Sequence, residues 1–184
     1  VFFNKTDNNY FDLGFVGDEP SSYMHKAHEI VYKKIFKNES KIFFGLKNGN
    51  GSCKVVNVTL SFSGKRPKLG SEVYLAEGVR LSGDITIGDR SSLWFNVAAR
   101  GDVGSIQIGE DTNIQDNSVI HVTTGAEGVR VGNRVTIGHG AIIHECRIAD
   151  ESLIGMGAIL LDGVVVPRHC LVGAGSLCPP GATY

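Results

Sequence analysis

The chain has 184 residues, with 18 Lys plus Arg against 19 Asp plus Glu and a formal net charge of −1. This balance offers neither a basic patch for nucleic acid nor an acidic tail, and no apolar run approaches the roughly 20 residues of a membrane-spanning helix. The length suits a domain with its own core. We therefore expect no nucleic-acid partner and no membrane span.

Residues 1–60 differ in composition from the rest and form a predicted N-terminal extension. Downstream of Pro20, apolar residues recur at helical spacing from Tyr23 to Phe36 and predict one amphipathic helix. The Asn-Gly-Asn-Gly run at 48–51 predicts a linker or turn. Residues 61–184 are expected to form a domain of a different kind.

That second domain carries a repeat with a period of six. The aliphatic or small anchor residues are Leu69, Leu75, Leu81, Ile87, Leu93, Ala99, Ile108, Ile114, Ile120, Val131, Ile137, Ile143, Ile148, Ile154, Leu160, Val166 and Val172. A period of six fits neither a helix nor an alternating strand, but it fits an all-β solenoid whose coil is a triangle of three short strands. Stacked coils would bury a continuous core that no single hexad could bury.

Three hexads make one coil, so anchors three hexads apart should lie above one another. A three-residue insertion after Ala99 and a five-residue loop after Ile120 place these two anchors and Ile143 at one corner of consecutive coils. The residues that directly follow these anchors would then form a polar column of Arg100, His121 and His144.

The two histidines of this column are candidate metal ligands. Adjacent coils lie about 4.8 Å apart, and zinc–imidazole bonds of about 2.0–2.1 Å fit that separation. His139 belongs to a different side of the triangle and should not reach the same ion within one chain. A three-fold axis beside the prism would let His139 of the partner subunit complete the site, which predicts a homotrimer with metal at each interface. A histidine in a solenoid turn can also simply bond to the backbone, but two in register beside an arginine favour a metal.

Several short motifs surround this column. They are SSLW at 91–94, RGDV at 100–103, TNIQDNSVIHV at 112–122, VTIGH at 135–139, IHEC at 143–146, GMGA at 155–158 and LDG at 161–163. Together they cover about residues 65–180 and resemble the γ-class carbonic anhydrase family. This combination is more specific than the hexapeptide repeat, which many acyltransferases share. The resemblance implies a left-handed parallel β-helix, an exception to the right-handed rule for parallel strands.

The resemblance also implies a reaction. His121 and His144 of one subunit and His139 of the next would bind Zn²⁺, with Co²⁺ or Fe²⁺ as alternatives. The metal ion would lower the pKa of a water molecule to about 7. The resulting hydroxide would hydrate CO₂ reversibly to bicarbonate.

Five further residues receive roles from the same resemblance. Arg100 would bind bicarbonate and pair with an acid, either Asp102 or Asp116. Gln115 would orient the reacting water, and Asn113 would support the pocket. The residues alone leave alternatives open, because an Arg–Asp pair between subunits can serve assembly only and Asn113 can be a turn residue.

Departures from the family pattern favour a slow or silent protein. Active members carry a proton-shuttling glutamate where this chain has Val103, and the short loop after His121 offers only Glu127. Glu145 stands where glycine is more usual and would either support the metal ligands or face solvent.

Two alternatives to an active carbonic anhydrase follow. One is a catalytically weak or silent trimeric assembly subunit, homomeric or heteromeric with related subunits, as in mitochondrial complex I. The other is a hexapeptide acyltransferase or acyl-CoA thioesterase, which usually relies on one catalytic histidine and needs no three-histidine cluster.

Four cysteines at irregular spacing, without a CxxC pair, predict free thiols in a reducing compartment. We therefore expect the cytoplasm or the mitochondrial matrix. The chain begins at Val1 rather than Met, and the helix that follows the solenoid in this family is missing, so we expect a fragment of a longer protein.

Overall fold

The computed structural model describes residues 2–3, 45–47, 53–55 and 58–184. Residues 58–184 form a parallel β-solenoid, and these described residues contain no helix. The prediction of an all-β solenoid of hexapeptide repeats is therefore confirmed. The helix predicted between residues 23 and 36 lies outside the described residues, and the domain boundary between residues 60 and 61 stays a prediction.

Short strands, most of them two or three residues long, make up the described part of the chain. They are β1 (Phe2–Phe3), β2 (Gly45–Lys47), β3 (Cys53–Val55), β4 (Thr59–Leu60), β5 (Lys68–Leu69), β6 (Tyr74–Leu75), β7 (Arg80–Ile87), β8 (Ser92–Leu93), β9 (Ala98–Ile108), β10 (Asn113–Ile114), β11 (Val119–His121), β12 (Val129–Val131), β13 (Thr136–Ile137), β14 (Ile142–His144), β15 (Arg147–Ile148), β16 (Leu153–Ile154), β17 (Ile159–Leu160), β18 (Val165–Val166), β19 (Leu171–Val172) and β20 (Leu177–Cys178).

These strands stack into three ladders, which are the three sides of the coil. The first ladder runs β6, β8, β10, β13, β16 and β19, and β1 pairs antiparallel with β19. The second contains β4, the first halves of β7 and β9, then β11, β14, β17 and β20. The third contains β5, the second halves of β7 and β9, then β12, β15 and β18. The antiparallel pair β2–β3 is separate.

Side chains on the inner faces of the ladders form one aliphatic core. The buried rows are Leu93, Ile114, Ile137, Ile154 and Val172 in the first ladder, Leu81, Ala99, Ile120, Ile143, Leu160 and Cys178 in the second, and Ile87, Ile108, Val131, Ile148 and Val166 in the third. Each aliphatic side chain buried in this way contributes about 1.5–3 kcal/mol to folding. The hexad anchors are therefore the residues that hold the coils together.

Both predicted insertions are present, and both lie where the chain passes from the second ladder to the third. β7 and β9 pair at Gly83↔Gly101 and again at Ile85↔Ile106, so residues 102–105 bulge out of β9. The longer insertion is the loop 122–128 between β11 and β12. Among the described residues, no helix has the length and apolar character needed to cross a membrane.

Candidate metal centre

The second ladder brings the predicted polar column together. His121 pairs in register with Arg100 on β9 and with His144 on β14, as the hexad stacking predicted. Because side chains alternate along a strand, Ile120 and Ile143 point into the core while the two imidazoles point outward. The side chains of His121 and His144 remain 23% and 30% exposed. We call Arg100, His121 and His144 the histidine column.

The two imidazoles present a nitrogen pair at the spacing that a metal ion needs. Nδ1 of His121 lies 3.2 Å from Nε2 of His144. Two nitrogens bound to a tetrahedral zinc at about 2.0–2.1 Å would be about 3.3 Å apart. Imidazole also suits iron and other first-row metals. The residues therefore fit two ligand positions of such an ion.

Asp102 contacts His121 at Nε2, the ring nitrogen that does not face His144. The bulge at 102–105 turns its carboxylate toward the column, where Oδ1 lies 3.1 Å from Nε2 of His121. The other oxygen, Oδ2, accepts a 2.5 Å hydrogen bond from Arg100 Nη1. Burial would raise the pKa of Asp102, but the hydrogen bonds from His121 and Arg100 outweigh burial and hold it below the ordinary value. The predicted Arg100–acid pair thus forms with Asp102, and it forms within one chain.

Asp162 contacts His144 in the same way, at Nδ1, the ring nitrogen that does not face His121. Asp162 was not among the predicted site residues. Its Oδ1 lies 2.6 Å from Nδ1 of His144, and its Oδ2 accepts a 2.6 Å hydrogen bond from the Thr123 hydroxyl. Hydrogen bonds from Thr123 and His144 hold the pKa of Asp162 below its ordinary value. Counting coils would not have found Asp162, because Ile143 pairs with Leu160 and His144 is therefore level with Leu161.

His139 stands apart from the column, as predicted. It lies at the corner that follows β13, where Nδ1 is 2.8 Å from Oδ2 of Asp116 on the coil before. The Gly140 amide donates to the Asp116 carbonyl and keeps these two corners above one another. Within residues 58–184, no three His, Cys, Asp or Glu side chains of one chain meet in a way that could hold a metal ion.

Asn113 and Gln115 belong to the same part of the chain as His139. Asn113 lies on β10 and donates a 2.8 Å hydrogen bond from Nδ2 to the Ser92 hydroxyl. Gln115 follows β10 and is half-buried. With Asp116 and His139 they form a second set of predicted site residues, which we call the His139 corner. A single chain therefore holds the histidine column and the His139 corner on different ladders.

Each of the three predicted ligand histidines has one ring nitrogen within hydrogen-bond distance of a carboxylate oxygen. The pairs are His121 with Asp102, His139 with Asp116 and His144 with Asp162. Histidines that bind metals usually donate their other ring N–H to such a group, which fixes the tautomer and raises the basicity of the ligand. All three predicted ligands have this arrangement, and so does His169 with Glu151, so the facing rings of His121 and His144 are what distinguish the histidine column.

Glu145 neither touches a predicted metal ligand through its side chain nor faces solvent. It is buried, and its carboxylate accepts hydrogen bonds of 2.8 Å from the Thr123 amide and 2.5 Å from the Gly128 amide. It therefore holds both ends of the loop 122–128. Its backbone φ is +44°, in the left-handed region, which glycine adopts more readily than glutamate.

The two positions considered for proton transfer have different surroundings. Val103 lies in the bulge and is 43% exposed. Glu127 lies in the loop 122–128, where it forms an ion pair with Arg147 of the third ladder. Neither position places a free acid beside the histidine column.

Comparison with known proteins identifies relatives of two descriptions. The chain is 46% identical over 118 residues to gamma carbonic anhydrase 2, mitochondrial, of Arabidopsis thaliana, a match that covers 61% of this chain and 42% of that protein. It is 40% identical over 101 residues to a carbonic anhydrase of Geobacillus kaustophilus, covering 55% of each. A crystal structure of a hexapeptide transferase family protein from Anaplasma phagocytophilum is 36% identical, with a TM-score of 0.63, over 68% of this chain and 73% of that one.

The chain thus spans about half the length of the curated relatives that it matches. No family model matches the sequence.

Proposed function

Because this chain belongs to the γ-class carbonic anhydrase family of hexapeptide-repeat proteins, we propose that it is a metal-dependent enzyme that converts CO₂ reversibly to bicarbonate. One observation carries the proposal. Each of the three proposed ligand histidines is paired with a carboxylate, and two of these histidines face each other with ring nitrogens 3.2 Å apart.

The proposed metal is Zn²⁺, with Co²⁺ or Fe²⁺ as alternatives. His121 and His144 of one subunit would hold it together with His139 of the partner subunit. When bound, such an ion lowers the pKa of water to about 7 and so makes hydroxide available at neutral pH. Three nitrogen ligands with one open position are typical of a catalytic rather than a structural zinc site.

The other residues of the two sets would prepare the site for an anionic product. Arg100 is 59% exposed at the rim of the column, with its guanidinium tied to Asp102, so it offers a fixed positive charge to bicarbonate. Asp102 also keeps the His121 ring in place. Gln115 and Asn113 carry amide groups that would orient water and line the pocket from the His139 corner.

A trimer is proposed because one chain cannot bring the two sets together. On the second ladder, an outward apolar row runs beside the histidine column. It contains Val119, Ile142, Ile159 and Leu177, in register on consecutive strands. Val119, Ile142 and Leu177 are 43%, 40% and 60% exposed in the single chain. A contiguous exposed apolar row of this kind is typical of a subunit interface, and a neighbour packed on it would bring its His139 corner toward the column. We propose a homotrimer, or a heterotrimer with related subunits, in the mitochondrial matrix or the cytoplasm.

A weak or silent assembly subunit is the second candidate. It is favoured by Val103 and by the engagement of Glu127 with Arg147, which leave proton release without a dedicated acid. A transferase activity is supported by the descriptions of solved relatives, including the Anaplasma protein and a putative acetyltransferase of Bacillus cereus. Three histidines backed by carboxylates are not needed for a reaction that relies on one.

Stopped-flow CO₂ hydration on anaerobically purified protein, with metal measured in the same sample, separates these candidates. The proposal expects about one metal ion per subunit and activity that a chelator abolishes. Metal without activity would favour the assembly role. Absence of both metal and activity would contradict the metal site itself.

A further inference from the structure

We propose that Thr123 is a positioning residue: acting through Asp162, it sets the tautomer and direction of the His144 ring. Glu145 in turn holds Thr123 in place. Where this inference concerns metal binding it rests on the proposed function, but the state of the His144 ring is a property of the metal-free chain.

Two hydrogen bonds connect Thr123, in the loop 122–128, to His144 through Asp162. The Thr123 hydroxyl donates to Oδ2 of Asp162 at 2.6 Å, and Nδ1 of His144 lies 2.6 Å from Oδ1 of the same carboxylate. An ionised carboxylate only accepts hydrogen bonds, so the proton of His144 lies on Nδ1. In the Nδ1–H tautomer the lone pair is on Nε2, which lies 3.2 Å from Nδ1 of His121.

Asp162 needs a partner to hold this orientation. Its side chain is 44% exposed in the single chain, so burial alone does not fix its rotamer. Thr123 occupies one oxygen and directs the other toward His144. Threonine is suited to this task because its branched side chain has few χ1 rotamers.

Thr123 is itself fixed by a buried charge. Glu145 is 6% exposed and binds the backbone amides of Thr123 and Gly128, at the two ends of the loop. Gly128 has a φ of +89°, and a Cβ at that position would come within 2.2 Å of the Ser105 carbonyl oxygen. The far end of the loop therefore lies closely against the bulge of β9, while Glu145 binds the end that carries Thr123.

The test compares Thr123→Val, which removes the hydroxyl at similar size, with Thr123→Ser, which keeps it. Thr124→Val is the matched control, because Thr124 is the next residue in the same loop and is exposed. The first readout is ¹⁵N NMR of the histidine rings in the metal-free, 184-residue protein. The second is the affinity for Co²⁺ alone, measured by competition with a chelator.

We expect His144 to be the Nδ1–H tautomer in the wild type, in Thr123→Ser and in Thr124→Val, and a mixture of tautomers in Thr123→Val. Loss of a group that bonds directly to a metal ligand typically weakens metal binding about 10- to 100-fold. Thr123 bonds to such a group, Asp162, so Co²⁺ affinity should fall by about 10-fold in Thr123→Val and stay unchanged in the other two variants. If Thr123→Val does not fold, Glu145→Gln should produce the same change in the His144 ring by loosening the loop.

An unchanged His144 spectrum in a folded Thr123→Val protein, or equal effects of Thr123→Val and Thr124→Val, would overturn the inference. A wild-type protein that fails to bind Co²⁺ would instead count against the proposed function. The tautomer of His144 would still decide the role of Thr123 in that case.

Discussion

The inner and outer faces of β11 and β14 differ in how specific their residues must be. Ile120 and Ile143 on the inner face are completely buried, and any aliphatic residue of similar size would serve there. His121 and His144 on the outer face are specific groups with specific partners, Asp102 and Asp162. The inner face of these strands therefore stabilises the solenoid, and the outer face carries the proposed metal ligands. Changes on the two faces should therefore have separable effects.

The inner face should show the largest effect on folding. Ile120→Ala removes a fully buried side chain and should lower the free energy of unfolding by about 2–5 kcal/mol. Urea unfolding followed by circular dichroism measures this change. Arg130→Ala is the control, because Arg130 is an exposed residue on β12 and its loss should change stability by less than about 0.5 kcal/mol. Equal losses in the two variants would contradict the division between faces.

The outer apolar row should control assembly rather than folding. Ile142→Asp places a charge in a row that the proposed trimer buries, so light scattering should report a monomer whose circular dichroism is unchanged. Leu69→Asp is the matched variant, because Leu69 is equally exposed, at 43% against 40%, but lies on the third ladder. That variant should remain trimeric. A trimeric Ile142→Asp protein would place the interface elsewhere.

A smaller effect is expected in acid. The folded-state pKa of Asp102 lies below its ordinary value, so its contribution to stability is present above that ordinary value, near pH 4, and is lost as the pH falls through the lowered one. Asp102→Asn should therefore flatten the loss of stability between about pH 5 and pH 2 in urea-unfolding experiments. Asp84→Asn should retain the wild-type profile, because Asp84 and Lys65 form an exposed ion pair and such pairs contribute little.

Much of this arrangement could be predicted from the sequence because a solenoid repeats locally. Once the hexads and the two insertions are located, the register of Arg100, His121 and His144 follows by counting. The same count would have paired Asp116 with His139, since these positions are 23 apart, as are His121 and His144. It does not place Asp162 beside His144, because Ile143 pairs with Leu160 and Leu161 is the residue level with His144.

Counting residues along the repeat does not predict side-chain positions in the irregular segments. The direction in which the 102–105 bulge turns Asp102 depends on how the strand bends around a corner, and a repeat does not encode that bend. The burial of Glu145 depends on the closure of the loop 122–128 over it, which brings together amides that no periodic pattern relates. Side-chain positions that depend on loop closure therefore needed the structure.

The central claim is that the histidine column of one subunit and the His139 corner of its partner make one metal site, and mixing variants tests it most directly. His139→Ala and His144→Ala, each purified alone, should bind no metal tightly. Refolded together in equal amounts, random assembly should restore about one quarter of the sites, because one interface in four then pairs two intact halves. A mixture of His121→Ala with His144→Ala, which damage the same half, should restore none. Full metal binding by His139→Ala alone, or equal results from the two mixtures, would contradict the claim.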